Sequence, residues 1–195
     1  EGSSQSNGFK KDWLNMKTAF FQSFEESSDR EETPFRISMV QAELKKNNLS
    51  GYLVPRSDVH QGEYVAACDE RLSWLTGFTG SAGICIVGND RAGIFVDGRY
   101  SIQAKKQTKS PFEVIQWDKK NFFHWIEKNI VKGKIGFDPW LHSHKEIFSL
   151  SKEFANSGIS FAPSDNLIEK VWMNRPAKTS NKDMKYPLEL AGLSA

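Results

Sequence analysis

Cysteine is scarce in this chain. Its two residues, Cys68 and Cys85, are too few for the multi-bridge framework that staples small secreted domains. Cys85 sits in an apolar run and reads as a small core residue. Such usage suits a reducing cytoplasm, which is the expected location. Long apolar runs are also missing: the longest, Ala82-Gly-Ile-Cys-Ile-Val87, is strand-sized, whereas a bilayer span needs about 20 residues. No basic region followed by an apolar core and a small-residue cleavage site marks a secretory signal, and no membrane partner is expected. An excess of one charge is lacking as well. Lys+Arg number 26 against 24 Asp+Glu, a formal charge of +2, too near balance for a nucleic-acid footprint or a polybasic membrane surface. Internal repeats and low-complexity tracts are absent. Partners must therefore be argued from sites.

What is present supports one sizeable core: 195 residues, 38% hydrophobic and 12% aromatic. Residues 1–33 are polar and Ser-rich, with seven acidic and four basic residues, the composition of a flexible arm. Met16 is a plausible start codon, which would make residues 1–15 an upstream extension. Phe20, Phe21 and Phe24 fit poorly in a disordered tail and are expected to dock on the domain. From Pro34 the pattern changes, and Ile37, Val40 and Leu44 at spacings of three and four predict an amphipathic helix. Gly51-Tyr-Leu-Val-Pro55 reads as a buried strand, and a short helical turn is expected over Glu70–Thr76. Ile84–Val87, a turn at Gly88–Arg91 and Gly93–Asp97 predict a hairpin.

Beyond the hairpin, helices near Tyr100–Lys106, Asn121–Val131 and Ser143–Asn156 alternate with strands at Phe112–Trp117, Lys134–Asp138 and Ile159–Ala162. A last helix falls within Asn166–Asn174. Such alternation packs helices on a sheet, and Pro111, Pro139 and Pro163 all fall at element boundaries. The expected fold is a mixed-sheet α/β domain over residues 34–174, with residues 175–195 as a polar linker.

Three constellations invite chemistry. Gly77, Gly80 and Gly83 recur every three residues around Ser81. The segment lacks both the Lys-Ser/Thr ending of a phosphate loop and the Gly-x-Gly-x-x-Gly spacing that opens a helix. Thr79 stands where a serine elbow wants glycine, so a structural loop is expected. The four histidines, His60, His124, His142 and His144, do not match zinc-site spacings, and no metal is expected in this chain. His60, flanked by Asp58, Gln61 and Glu63 after a strand-ending proline, has two balanced readings: a loop-ordering residue or a substrate contact. Arg99 follows Asp97-Gly98 at a strand end, where its planar fork can meet a carboxylate or peptide carbonyl. A plain ion pair with Asp97 competes with that role and, on the residues alone, is slightly preferred. Tyr100 beside it serves as core or wall. Trp74, Trp117, Trp125, Trp140 and Trp172 are expected in the core.

Several of these segments carry a family likeness. His60-Gln-Gly-Glu-Tyr64, Leu75-Thr-Gly-Phe-Thr-Gly-Ser-Ala-Gly83, Asp97-Gly-Arg-Tyr100, Gly136-Phe-Asp-Pro139, Leu167-Ile-Glu-Lys-Val-Trp172 and Asn174-Arg-Pro176 together resemble the N-terminal domain of the aminopeptidase P family. Order and spacing agree from about Phe35 to Gly192, best with the long, three-domain members. Val171 and Asn174 depart from the family's isoleucine and aspartate. The resemblance implies a creatinase/prolidase N-terminal-type domain that is not itself catalytic. It implies a longer enzyme that removes the N-terminal residue from peptides with proline second. Two divalent metal ions, usually manganese, would sit in a C-terminal domain beyond this chain, and the intact enzyme would be a homo-dimer. By the same resemblance Arg99 contacts the peptide, with His60 and Tyr100 as lesser candidates. The rival expectation is a free-standing binding module without a catalytic half.

Overall fold

The computed structural model describes residues 28–178 and 188–191. Phe20, Phe21 and Phe24 lie outside the described residues, as does the middle of the expected linker. The strands are β1 (Gly51–Pro55), β2 (Gly83–Gly88), β3 (Ala92–Val96), β4 (Phe112–Gln116), β5 (Gly133–Phe137) and β6 (Ile159–Pro163). They form one six-stranded sheet in the order β4-β3-β2-β1-β5-β6. β2 runs antiparallel to both β1 and β3, and the remaining neighbours are parallel. The predicted hairpin is the β2–β3 pair, with Cys85 opposite Ile94.

Side chains along a strand alternate between faces, and here that alternation separates two cores. Tyr52, Val54, Cys85, Val87, Ile94 and Val96 pack on one side. There they meet α1 (Thr33–Lys46), α2 (Arg71–Thr76), α3 (Ser101–Gln107) and α6 (Leu167–Val171), through Ile37, Val40, Leu44, Leu72, Leu75, Ala104 and Ile168. Leu53, Ile86 and Phe95 point to the other side. These are covered by Phe122, Trp125 and Ile126 of α4 (Lys119–Asn129) and Leu150 of α5 (His144–Glu153). Each fully buried large apolar side chain stabilises the fold by about 1.5–3 kcal/mol, so both faces matter. A short α7 (Leu188–Ala191) follows. No helix among the described residues is long and apolar enough to cross a membrane.

Helix starts follow their caps. Asp118 accepts the Asn121 N–H and starts α4 at Lys119, two residues before the predicted Asn121. Ser143 caps α5 through Glu146 N–H, and Asn166 caps α6 through Ile168 and Glu169 N–H. α5 stops at Glu153, short of the predicted Asn156; a turn follows, with Gly158 at φ +76. Residues just before α1 are tied to the body, with Ser28 Oγ donating to the carbonyls of Gly77 and Gln107 and Asp29 pairing with Arg36.

One consequence of this topology organises everything below. The carboxyl ends of β1, β3, β4, β5 and β6 and the amino end of β2 share one edge of the sheet. In open α/β sheets that is where ligands bind.

Candidate functional site

The motif blocks converge on that rim. Asp97 follows β3, and its carboxylate Oδ1 accepts the backbone N–H of Arg99 at 2.9 Å, starting a 3-10 turn over Gly98–Tyr100. The same oxygen accepts Arg99 Nε at 2.9 Å. The expected ion pair therefore exists, but it uses one edge of the guanidinium. The Arg99 side chain is 73% exposed, and Nη1 and Nη2 have no hydrogen-bond partner among the described residues. Its Cζ lies 5.5 Å from the Tyr100 ring centroid, and the Tyr100 hydroxyl is 2.7 Å from Ser81 Oγ. The Arg99 hydrogen bond holds the Asp97 carboxyl below its ordinary range, and Asp97 in turn raises Arg99. Hydrogen bonding to Ser81 lowers the Tyr100 phenol. The cluster is a fixed cation with a free fork, braced by an anion and an aromatic ring.

The Gly77–Gly83 loop builds this brace. Gly77 ends α2 in the left-handed region, at φ +80, and a Cβ there would lie 2.5 Å from the Gln107 carbonyl. A Cβ on Gly80 would fall 2.2 Å from Phe78 Cζ. Phe78 in turn meets Tyr100 edge-on at 5.7 Å. The glycines thus bring Ser81 and Phe78 against Tyr100.

His60 occupies an exposed turn organised by Asp58, whose Oδ1 accepts the N–H groups of His60 (2.9 Å) and Gly62 (3.0 Å). Those bonds, Gly62 first, hold the Asp58 carboxyl down. The His60 ring has no hydrogen-bond partner among the described residues. It shares the rim with Arg99 and Tyr100 but is not brought into contact with them. Arg56, at the end of β1, ties this loop to its surroundings: it donates to the Glu63 carbonyl at 2.9 Å and pairs with Glu70 at 3.2 Å. Burial raises the Glu70 carboxyl despite that pairing.

Two features escaped the sequence reading. Trp117 and Trp140, expected in the core, are 47% and 73% exposed on the rim loops after β4 and β5, whereas Trp125 and Trp172 are buried. A tryptophan at an element end has the same local pattern in either case. The second feature is ionic. Arg71, only 3% exposed, pairs with Asp69 (2.7 Å) and Glu169 (2.5 Å). Arg175, where the linker was expected to open, joins both carboxylates (3.0 and 2.6 Å) and donates to the Cys68 carbonyl. Burial pushes the Glu169 carboxyl up, but the two arginines outweigh it and leave it lowered. Beside the network Trp74 and Trp172 stack at 5.3 Å, with the Arg36 guanidinium 5.0 Å from Trp74.

A cleft of about 790 Å³ opens between the loops after β5 and β6, with Trp140 and Lys178 on its walls. His142 is buried; its Nδ1 meets Glu146 at 3.1 Å. Among the described residues, no group of three or more His, Cys, Asp or Glu side chains is placed to hold a metal ion.

Comparison with known proteins gives this rim a family setting. The profile of the creatinase/prolidase N-terminal domain matches residues 36–173. The chain belongs to that family. A probable Xaa-Pro aminopeptidase P of Coccidioides posadasii is 37% identical over 169 residues, covering 84% of this chain and 26% of that protein. Its counterpart in Pyrenophora teres is 34% identical over 167 residues, with 83% and 26% covered. The chain thus spans about a quarter of the curated relatives it matches, corresponding to their N-terminal part. Among solved structures, the X-prolyl aminopeptidase of Caenorhabditis elegans, described as a cytosolic enzyme with a di-nuclear active site, superposes with a TM-score of 0.72 at 24% identity, covering 83% of this chain and 29% of its own. The N-terminal domain of the cytoplasmic peptidase PepQ from Mycobacterium tuberculosis superposes at 0.56, with 21% identity, over 70% of this chain and 98% of its own. These likenesses establish the mixed-sheet α/β fold of the creatinase/prolidase N-terminal domain.

Proposed function

We propose that this chain is the non-catalytic, substrate-side domain of a longer Xaa-Pro aminopeptidase. Arg99 would hold the distal part of a peptide whose second residue is proline, and the domain would narrow access to the catalytic centre. The observation that carries the reading is the exposed guanidinium of Arg99, fixed through Nε by Asp97 with both terminal nitrogens open. A fork held in this way can donate two parallel hydrogen bonds to a carboxylate or carbonyl without first being ordered. Binding energy realised far from the scissile bond then positions the peptide for reaction. Tyr100 serves as the wall against which the guanidinium is oriented, and His60, on the same rim, is a secondary contact. Two divalent metals, manganese by preference, belong in this proposal to the part of the enzyme that the chain does not span. A cytoplasmic, homo-dimeric enzyme completes it. Relatives that carry the domain at the head of a much longer protein support the reading over a free-standing binding module.

The test is Arg99→Ala in the full-length protein. The expected outcome is a kcat/KM on peptides of four or more residues lowered by about tenfold or more, the effect of losing hydrogen bonds from a charged donor. The melting temperature should stay unchanged. Unaltered kinetics with a lowered melting temperature would return Arg99 to a structural ion pair.

A further inference from the structure

Between the Arg99 turn and the start of α5 the rim opens into a hollow of about 290 Å³. Its walls are the apolar side chains of Pro55, Ile84, Phe95 and Trp117, and it also carries the carboxylates of Asp97 and Glu146. The walls are fixed. Trp117 meets Phe95 edge-on at 6.3 Å and lies 5.1 Å from Phe122, which packs its half-exposed ring at the edge of the hollow. Glu146 is placed by the α5 cap, through its N–H to Ser143 Oγ, and by the contact of its Oε1 with His142 Nδ1. Asp97 gives Oδ1 to Arg99 twice. Asp97 Oδ2 and Glu146 Oε2 have no hydrogen-bond partner among the described residues, and both side chains are 43% exposed. In the larger cleft after β5 and β6, Lys170 pairs with Asp165 and Arg71 with Glu169.

We propose that this hollow is a subsite for a lysine or arginine side chain of the bound peptide, next to the segment that Arg99 holds; it rests on the reading of Arg99 as a peptide contact. The volume lies at the lower edge of the roughly 300–1,000 Å³ of small-molecule pockets and has room for one long side chain. Apolar walls accept the methylene stem of a long basic residue while its charged tip stays near water. The Trp117 face and the two spare carboxylate oxygens are complementary to that tip. A glutamate would meet two like charges, and a short polar side chain would leave the apolar walls uncovered.

The experiment is a titration of the isotope-labelled 195-residue chain, followed by NMR. Three peptides of the form Ala-Pro-Xaa-Xaa-Gly are used, with both variable positions lysine, norleucine or glutamate. With the lysine peptide the Trp117 indole N–H resonance should move, together with the amides of Arg99 and Tyr100. Affinity should fall about threefold for norleucine and about tenfold for glutamate, the size expected of partly exposed charge pairs. Glu146→Gln should reduce the advantage of lysine over norleucine and leave the Arg99 shifts in place. Equal affinity for the three peptides overturns the proposal, and the unsubstituted chain decides this whether or not the variant folds. Shifts at Arg99 and Tyr100 with none at Trp117 overturn the subsite and leave the Arg99 contact standing. A titration that moves neither group overturns the subsite, and the Arg99 contact is then decided by the Arg99→Ala kinetics of the full-length protein.

Discussion

Gly77 shows how one backbone conformation supports the rim. It ends α2 at φ +80, where a side chain is strained, and an added Cβ would lie 2.5 Å from the Gln107 carbonyl and 2.9 Å from Ser28 Oγ. Neither neighbour can withdraw cheaply, because one is backbone and the other is hydrogen-bonded to the Gly77 carbonyl itself. Gly77→Ala should therefore destabilise the chain by about 1–3 kcal/mol, measurable by urea unfolding. Because Ser81 follows in the same loop, the Tyr100 amide should shift in the variant as well. The need for glycine here was readable in advance, since a glycine every third residue with neither a phosphate-loop nor an elbow pattern points to backbone geometry. Arg99 was readable only in part. Its position after a strand-ending Asp-Gly announced a rim residue, and Asp97 two places away announced the ion pair. Local sequence does not say that the pair would engage Nε alone and leave the fork open.

Among the elements, α6 is tied to the body by charge. Glu169 on this helix is held by Arg71 from α2 and Arg175 from the segment beyond. Its carboxyl is lowered from an ordinary value of 4.5. An acid whose folded value is depressed contributes stability above its unfolded value and loses it as pH falls through the folded one. Hydrogen-exchange protection of α6 and the residues after it, taken relative to the intrinsic exchange rate at each pH, should accordingly fall as the solution is acidified below about 4.5. Glu169→Gln should flatten that dependence. Protection of β2 and β3 should be unaffected over the same range. This network was invisible in the sequence for a physical reason: Arg71 and Glu169 are 98 positions apart, and Arg175 and Asp69 are 106 apart. Periodicity reports which face of an element is buried, not which distant charge will meet it. The apolar elements were clear because their signals are local, as in the run through Cys85 and the three-four spacing of Ile37, Val40 and Leu44. The same limit explains Trp117 and Trp140, whose placement on the rim depends on which loops the topology gathers there.

The two cores share their strands. Because Leu53 lies between Tyr52 and Val54, and Ile86 between Cys85 and Val87, neither helix layer can lose its sheet face without disturbing the other. Unfolding should be a single cooperative transition. Leu44→Ala in one layer and Ile126→Ala in the other should each lower its free energy by about 2–5 kcal/mol without splitting it, as followed by circular dichroism and tryptophan fluorescence together. The Arg175 clasp also has a mechanical meaning. A pull on the backbone beyond Lys178 meets three bonds from one guanidinium, to Cys68, Asp69 and Glu169, before it reaches any strand of the sheet. Tension from whatever follows is thereby grounded at the 3-10 turn Ala67–Asp69 and at α6, ahead of the strands.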